Sequence, residues 1–224
     1  MKKALLFLSL SILTLKATAQ IGTSAELGGA IGSSAGSISA SGSHNWGLGA
    51  KKKFYVGTGI RFTSFFGNKI NFTSAPADLT ADDKNVDTLL APSPSLSSLN
   101  LTINLGYKIS EKLEVGFNID AIGISFGPTG TLTYIRNGKS TATPASPTSP
   151  NILLVGDNDK GSLNSHLFVR YKLSDHLGLK LAYQYLFNEL TTATKIQTIP
   201  SIPTPNDRFR AKSGMVYVGL NYNF

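Results

Sequence analysis

The sequence predicts an all-β fold: a transmembrane, eight-stranded, antiparallel up-and-down β-barrel that follows a cleaved signal peptide. Three observations predict it. The chain begins with an export signal, most of the remainder alternates between apolar and polar residues, and the connections between the alternating segments are short and long in turn. We therefore expect a signal peptide at 1–19 and an outer-membrane β-barrel domain at 20–224.

The export signal occupies the first nineteen residues. Lys2 and Lys3 form a positive start, an apolar run follows at 4–15, and Ala17-Thr18-Ala19 supplies the small residues that signal peptidase accepts. This predicts cleavage before Gln20. The apolar run is shorter than the roughly 20 residues that a membrane-spanning helix needs. The chain contains no cysteine, which excludes both a lipoprotein anchor and disulfides.

The formal net charge of +8 overstates the basicity of the exported protein. Lys2, Lys3 and Lys16 would leave with the signal peptide, so that +5 remains. The longest run of basic residues in the remainder is 51–53. Nucleic-acid binding needs a clustered basic face, and we therefore expect no nucleic-acid partner.

The alternation is clearest at 99–109, where every odd position is apolar and every even position is polar or glycine. The next segment, 112–120, has the same pattern, and near Ala121-Ile122 the parity changes, which indicates a β-bulge. Alternation alone is also compatible with a soluble β-sandwich, which has one buried face. The other predicted strands are 24–32, 38–50, 54–66, 163–173, 177–190 and 216–224. The first two are rich in glycine and serine, and they are counted as strands mainly because such a barrel needs an even number.

The connections favour the barrel over the sandwich. Short connections at 51–53, 110–111 and 174–176 alternate with long ones, as in outer-membrane barrels, where the short turns are periplasmic. Structureless loops of such length are uncommon inside compact soluble domains. The long connections are 67–94, 127–160 and 191–211, and Pro144, Pro147 and Pro150 predict an extended, mobile tip in the second of them.

The last strand carries the most specific pattern. Apolar or aromatic residues alternate from Val216 to Phe224, and the chain ends on phenylalanine. This resembles the C-terminal assembly signal of outer-membrane barrels, which is matched by Gly219, Tyr222 and Phe224. The resemblance implies the barrel-assembly machinery as a partner.

Charged residues of the strands are expected inside the barrel, where eight strands leave just enough room for side chains. We predict a packed polar network in which Glu114 and Asp120 pair with some of Arg61, Arg170 and Lys180, because unpaired buried charges are costly. A narrow channel for small solutes is the alternative. The predicted network consists of Glu26, Arg61, Glu114, Asp120, Arg170 and Lys180.

Arg208, Arg210 and Lys212 share the parity of the outward-facing residues of the last strand. If that strand is straight, they lie near the level of lipopolysaccharide phosphates, which arginine binds bidentately. The alternative is that both arginines belong to a loop and pair with Asp207 or with water. Lipopolysaccharide is accordingly expected as one component of the lipid surroundings.

Two further patterns suggest chemistry only weakly. His166 is expected to face the interior near Ser162 and Asn164, but the sequence defines no nucleophile–base–orienter set. The segment 156–161 could hold calcium, although it lacks the spacing of an EF-hand loop, and Asp, Asn and Gly also suit a turn. We predict no catalytic residue, no metal and no cofactor.

Taken together, the chain resembles small barrel-domain proteins of Gram-negative bacteria of the OmpA/OmpX type. The stretches that carry the resemblance are 99–109, 116–127, 153–165, 206–213 and the terminal strand. It implies the fold and an outer-membrane location. It leaves the activity open, because such barrels serve as adhesins, defence proteins, enzymes and tethers. We expect a non-enzymatic structural or surface-binding role through extracellular loops, with a narrow channel as the alternative and a lipid A-modifying enzyme as a third, weaker one.

Overall fold

The structure is a computed structural model, and it describes residues 20–76, 80, 82–154, 158–199 and 204–224. The predicted signal peptide therefore lies outside the described residues. Among the described residues, thirteen strands form one antiparallel sheet. They are β1 (Gln20–Ile31), β2 (Ala35–Leu48), β3 (Phe54–Gly67), β4 (Ile70–Ser74), β5 (Thr88–Ala91), β6 (Ser95–Lys108), β7 (Leu113–Phe126), β8 (Gly130–Arg136), β9 (Lys139–Pro147), β10 (Asn151–Ile152), β11 (Leu163–Lys172), β12 (Leu177–Thr192) and β13 (Arg208–Asn223).

The longest strands pair with one another in a closed ring, which we call the main ring. Each strand bonds to the next in the order β1, β2, β3, β6, β7, β11, β12 and β13, and β13 bonds back to β1. The ring has a short-turn end, where the connections 49–53, 109–112 and 173–176 lie, and a long-connection end opposite. Within the part of the chain that the structure describes, no helix is long and apolar enough to cross a membrane.

The strands of the main ring form where the period-two alternation predicted them. The glycine- and serine-rich pair is confirmed as β1 and β2, and β2 bonds to β1 through register pairs such as Leu27 with Ala40. The predicted bulge is also confirmed, because Leu101 pairs with Ile122 while Thr102 pairs with Asp120, which leaves Ala121 as the extra residue.

The prediction of structureless long connections is wrong for the first two of the three. Connection 67–94 contains β4 and β5, connection 127–160 contains β8, β9 and β10, and the strands β4, β5, β8 and β9 pair in series with one another. In the third connection, the described residues between β12 and β13 form one isolated bridge, Gln197 with Asn206. β4 also pairs with β13, and β9 pairs with β12, so that these six strands close a second ring that shares the β12–β13 hairpin with the main ring. The sheet therefore has more strands than the eight expected.

The second ring encloses apolar side chains. Phe72, Leu89 and Phe209 have no exposed surface, and Tyr134 packs edge-on against Phe209 at 5.8 Å between ring centroids. Their cluster continues into the main ring as far as Phe168 and Tyr217.

The tip with Pro144, Pro147 and Pro150 is extended, as predicted, but the part with Pro144 and Pro147 is the paired strand β9, and Pro150 lies between β9 and β10. Pro144 lies outside the stretch that pairs with β12, where β9 is an edge strand on that side and tolerates proline. Pro147 is the last residue of β9 and pairs with Leu190.

Candidate functional site

The outer face of the main ring is apolar and exposed, the reverse of a soluble protein. On β12, Leu181 is 57% exposed, whereas its neighbour Lys180, which points inward, is 1% exposed. Such an extensive apolar surface marks contact with another apolar phase. Exposed apolar residues of this belt include Leu27, Ile60, Leu99, Leu101, Ile103, Leu105, Leu167, Val169, Leu179, Leu181, Val216, Val218 and Leu220.

Inside the main ring, Arg61 of β3 and Asp120 of β7 form a buried ion pair. Arg61 Nε and Nη2 donate to Asp120 Oδ1 at 2.9 and 2.6 Å. The other carboxylate oxygen, Oδ2, accepts from Asn100 Nδ2 at 2.7 Å and from the backbone N–H of Asn164 at 3.0 Å. Arg61 Nη1 donates to Asn118 Oδ1 at 2.7 Å. Both oxygens of the carboxylate are thus hydrogen-bonded.

A second set of charges lies inside the main ring, toward the short-turn end. Lys180 Nζ donates to Glu26 Oε1 at 2.8 Å, and Arg170 Nη2 donates to Glu26 Oε2 at 3.3 Å. Arg170 Nη1 also bonds to Glu114 Oε1. The hydroxyls of Tyr55 and Tyr217 donate to Glu114 and Glu26 at 3.2 and 3.1 Å, respectively.

The structure thus brings the six predicted interior residues together in two groups. Three carboxylates face three cations, and each cation donates to at least one carboxylate. Buried charges that balance in this way are hydrogen-bonded rather than solvated. Tyr217 was not predicted as a partner of Glu26, although its inward position follows from the alternation of β13.

The interior leaves little open space. A cavity of about 270 Å³ opens at the short-turn end, with Tyr55, Lys112, Glu114 and Arg170 in its wall. Deeper inside, beside Glu26 and Arg61, the free volume falls to about 20 Å³, which suffices for roughly one water molecule. Beyond this level, buried apolar side chains such as Phe65, Leu186 and Met215 lie among buried polar ones such as Asn164 and Gln184.

Arg208 and Arg210 have the outward parity that was predicted, but their guanidinium groups are already engaged. Arg208 Nε and Arg210 Nη2 donate to the carboxylate of Glu189 at 2.7 and 3.0 Å, and both arginines bond to the carbonyl of Asp159. Glu189 is fully buried and pairs directly with Arg210 across β12 and β13. Lys212 is exposed.

The two arginines begin β13, in line with the strand expectation, and the loop alternative is wrong. Their acidic partner is Glu189 rather than Asp207. Glu189 was not predicted to take part in this site, because it occupies an odd, apolar-parity position of β12. One feature of the sequence could have indicated Glu189. It is an acidic residue at an outward-facing position near the end of β12, and the neighbouring strand β13 carries Arg208 and Arg210 at the same level.

The three residues of the predicted assembly signal lie at the short-turn end of β13. Tyr222 and Phe224 face outward and are 45% and 75% exposed. Their rings contact each other at 5.2 Å, and His176 stacks on Tyr222 at 5.6 Å. Gly219 faces inward, where the ring of Tyr217 approaches the position of a Cβ atom to within 2.8 Å, so only glycine fits without displacement.

The second ring holds a buried polar pair. The Tyr134 hydroxyl donates to Asp87 Oδ2 at 2.5 Å, and Arg136 Nε lies 3.8 Å from the same oxygen. Burial, together with the neighbouring Asp87 carboxylate, raises the pKa of the Tyr134 phenol to about 12. The pair therefore holds a neutral phenol against a carboxylate inside the ring.

His166 and the described part of the loop at 156–161 do not show the arrangement of a catalytic or metal site. His166 faces inward and is 1% exposed, but its Nδ1 lies 3.0 Å from Lys180 Nζ and its ring packs on Tyr217. Part of the possible calcium loop, at 156–157, lies outside the described residues. In the described part of that loop, Asp159 Oδ1 accepts from the backbone N–H of Leu154 at 2.6 Å, as in a turn.

The chain matches no protein-family model and no curated protein sequence. Similar solved structures include Neisserial surface protein A, at 12% identity and a TM-score of 0.38, covering 90% of this chain and 94% of that one. Ail of Yersinia pestis, in complex with the heparin analogue sucrose octasulfate, has 12% identity and a TM-score of 0.38, with coverages of 91% and 99%. The toluene transporter TodX of Pseudomonas putida has 9% identity and a TM-score of 0.25, with coverages of 84% and 69%. The fold assignment therefore rests on the strand pairings of this chain.

Proposed function

We propose that the protein is an integral outer-membrane β-barrel with a non-enzymatic, structural or surface-binding role that is exerted through its second ring. The observation that carries the proposal is the reversed burial of the main ring, in which leucines face outward and charges face inward. A closed ring satisfies every backbone group between neighbouring strands, which is what a β-structure in lipid requires.

The height of the apolar belt supports a membrane position. On β6 the outward residues from Leu99 to Leu105, and Tyr107 and Ile109 below them, are all exposed. Ten residue steps of about 3.3 Å, tilted by about 40°, rise roughly 25 Å, which is the apolar height of outer-membrane barrels. The short-turn end is then periplasmic, and the second ring projects from the cell. Export would depend on the signal peptide proposed at 1–19.

A charge in the belt tests the membrane position. Ile103 faces outward in the middle of the belt, and Ile103→Arg should destabilise the protein in phospholipid vesicles by about 2–4 kcal/mol, as arginine at the bilayer midplane does. Thr131→Arg, at an exposed position of the second ring, is the matched control and should leave stability unchanged within about 0.5 kcal/mol. Equal urea midpoints for the two variants would contradict the proposed membrane position.

The filled interior favours this role over the channel. Balanced ion pairs and the apolar cluster occupy the space through which a solute would pass. In planar lipid bilayers, the refolded protein should therefore give no steady single-channel conductance. Reproducible, ion-selective conductance steps at neutral pH would favour the channel instead.

We also propose lipopolysaccharide as a lipid partner at the outer interface. Arg208 and Arg210 begin β13 with outward parity near the outer end of the apolar belt, and Lys212 is exposed two residues further along the strand. Added lipopolysaccharide should raise the thermal midpoint of the wild type in detergent more than that of the Arg208→Ala/Arg210→Ala/Lys212→Ala variant. Equal shifts would exclude this site.

A further inference from the structure

Lysines are concentrated on one side of the short-turn end. Lys51 and Lys53 are exposed in the connection between β2 and β3, and Lys112 is exposed in the connection between β6 and β7. The N–H of Lys108, at the end of β6, donates to the carbonyl of Lys53 at 2.8 Å, which joins the two connections side by side. We call Lys51, Lys53 and Lys112 the lysine edge.

Exposed aromatic residues lie directly next to the lysine edge, on the outer face of the ring. Trp46, Phe54 and Tyr107 are 37%, 45% and 44% exposed, and Phe54 pairs with Tyr107 across β3 and β6. Phe54 immediately follows Lys53 in the chain. Aromatic side chains of this kind mark the membrane–water interface, and the lysine edge then lies within roughly 10 Å of it, at the level of lipid phosphates.

The positive charge is confined to this side of the ring. Glu111 is exposed beside the lysine edge, but three lysines outnumber it, so a net positive charge remains. Across the ring, Phe224 N–H bonds to the carbonyl of Thr23 at 3.0 Å, and this part of the described rim carries no lysine. Between the two sides, Lys172 is paired with Asp175 at 2.9 Å. One sector of the rim therefore presents a basic surface that continues the apolar belt.

We propose that the lysine edge binds the phosphate groups of anionic phospholipids in the periplasmic leaflet. The inference rests on the proposed membrane position. Compact ammonium charges on flexible stems suit phosphates that approach from several directions, and the aromatic residues hold the neighbouring acyl chains. Continuity with the belt favours a lipid over the acidic groups of the cell wall, which would lie below the rim and would not contact Trp46.

Trp46 is the only tryptophan of the chain and therefore reports on the lipids beside the lysine edge. The protein is refolded in phosphatidylcholine vesicles that contain, at equal mole fraction, either brominated phosphatidylglycerol or brominated phosphatidylcholine as a quencher. We expect about a fivefold preference for the anionic lipid at Trp46. This is the factor by which one lysine near a membrane surface strengthens binding to anionic lipid. The preference should disappear near 1 M salt, where the Debye length is about 3 Å.

The variant Lys51→Gln/Lys53→Gln/Lys112→Gln should lose the preference while still being quenched by both lipids. Its matched control removes three exposed lysines near the opposite end, Lys84→Gln/Lys139→Gln/Lys195→Gln, and should retain it. A preference that survives in the first variant would overturn the proposal, as would equal quenching of the wild type by both lipids. Salt-sensitive binding to isolated peptidoglycan without any lipid preference would do the same. Absence of quenching by either lipid would instead overturn the proposed membrane position.

Discussion

Replacing Asp120 by alanine should lower the free energy of unfolding by about 3–5 kcal/mol, the range found when one partner of a buried ion pair is removed. The carboxylate is fully buried and accepts four hydrogen bonds, two of them from Arg61. Without it, Arg61 keeps only neutral acceptors, the amide oxygen of Asn118 and the carbonyl of Asn164. The loss thus reflects an uncompensated buried charge rather than missing contacts alone.

Urea unfolding in phospholipid vesicles, followed by Trp46 fluorescence and by the heat-dependent gel shift, measures this change. The double variant Arg61→Met/Asp120→Leu removes both charges and should recover most of the loss, because apolar replacement of a whole buried pair is often neutral. Asp175→Ala, which breaks an exposed pair at the rim, should have no measurable effect. If Asp120→Ala unfolds at the wild-type midpoint with the same slope, the interior is hydrated and the reasoning is wrong.

Two further changes test the second ring and the terminal strand. Tyr134 has a pKa of about 12 in the folded protein and about 10 when unfolded, so its neutral form stabilises the fold below pH 10 and this contribution is lost as the pH rises through 12. Thermal midpoints should therefore fall more steeply over this window in the wild type than in Tyr134→Phe, and parallel curves would argue against a role for the Asp87 contact. Replacing Tyr222 and Phe224 with serine should leave the protein exported but not inserted, and a normal amount of heat-modifiable barrel in membranes would refute the assembly signal.

The main ring was predictable because a closed barrel with one apolar and one polar face imposes one simple rule on every strand. Each side chain points either outward or into the interior, so the apolar–polar alternation at 99–109 is complete, and in the structure its leucines are exposed and its asparagines are buried. The bulge at Ala121 was visible as a break in that rule. The ion pairs were predictable only as a set, since the choice of partner depends on register, which the sequence does not specify across strands as distant as β3 and β7.

The second ring escaped prediction because its strands are short and obey no such rule. The segment 70–74 does alternate, but five residues cannot be told from a loop that contains two apolar residues. β9 contains prolines, which normally argue against a strand. Glu189 was missed for a related reason, since its burial depends on Asp159 and the neighbouring segment folding against the top of β12.

The second ring is built from chain segments that are far apart in sequence, as in the pairing of Thr73 with Arg210. Bringing such segments together costs loop-closure entropy in an unfolded chain, but the main ring, once closed, already holds their ends at neighbouring positions. The order of folding is thereby constrained: the second ring has little reason to form before β13 has joined β1. A partner that recognises the second ring would accordingly bind only those molecules in which the main ring has closed.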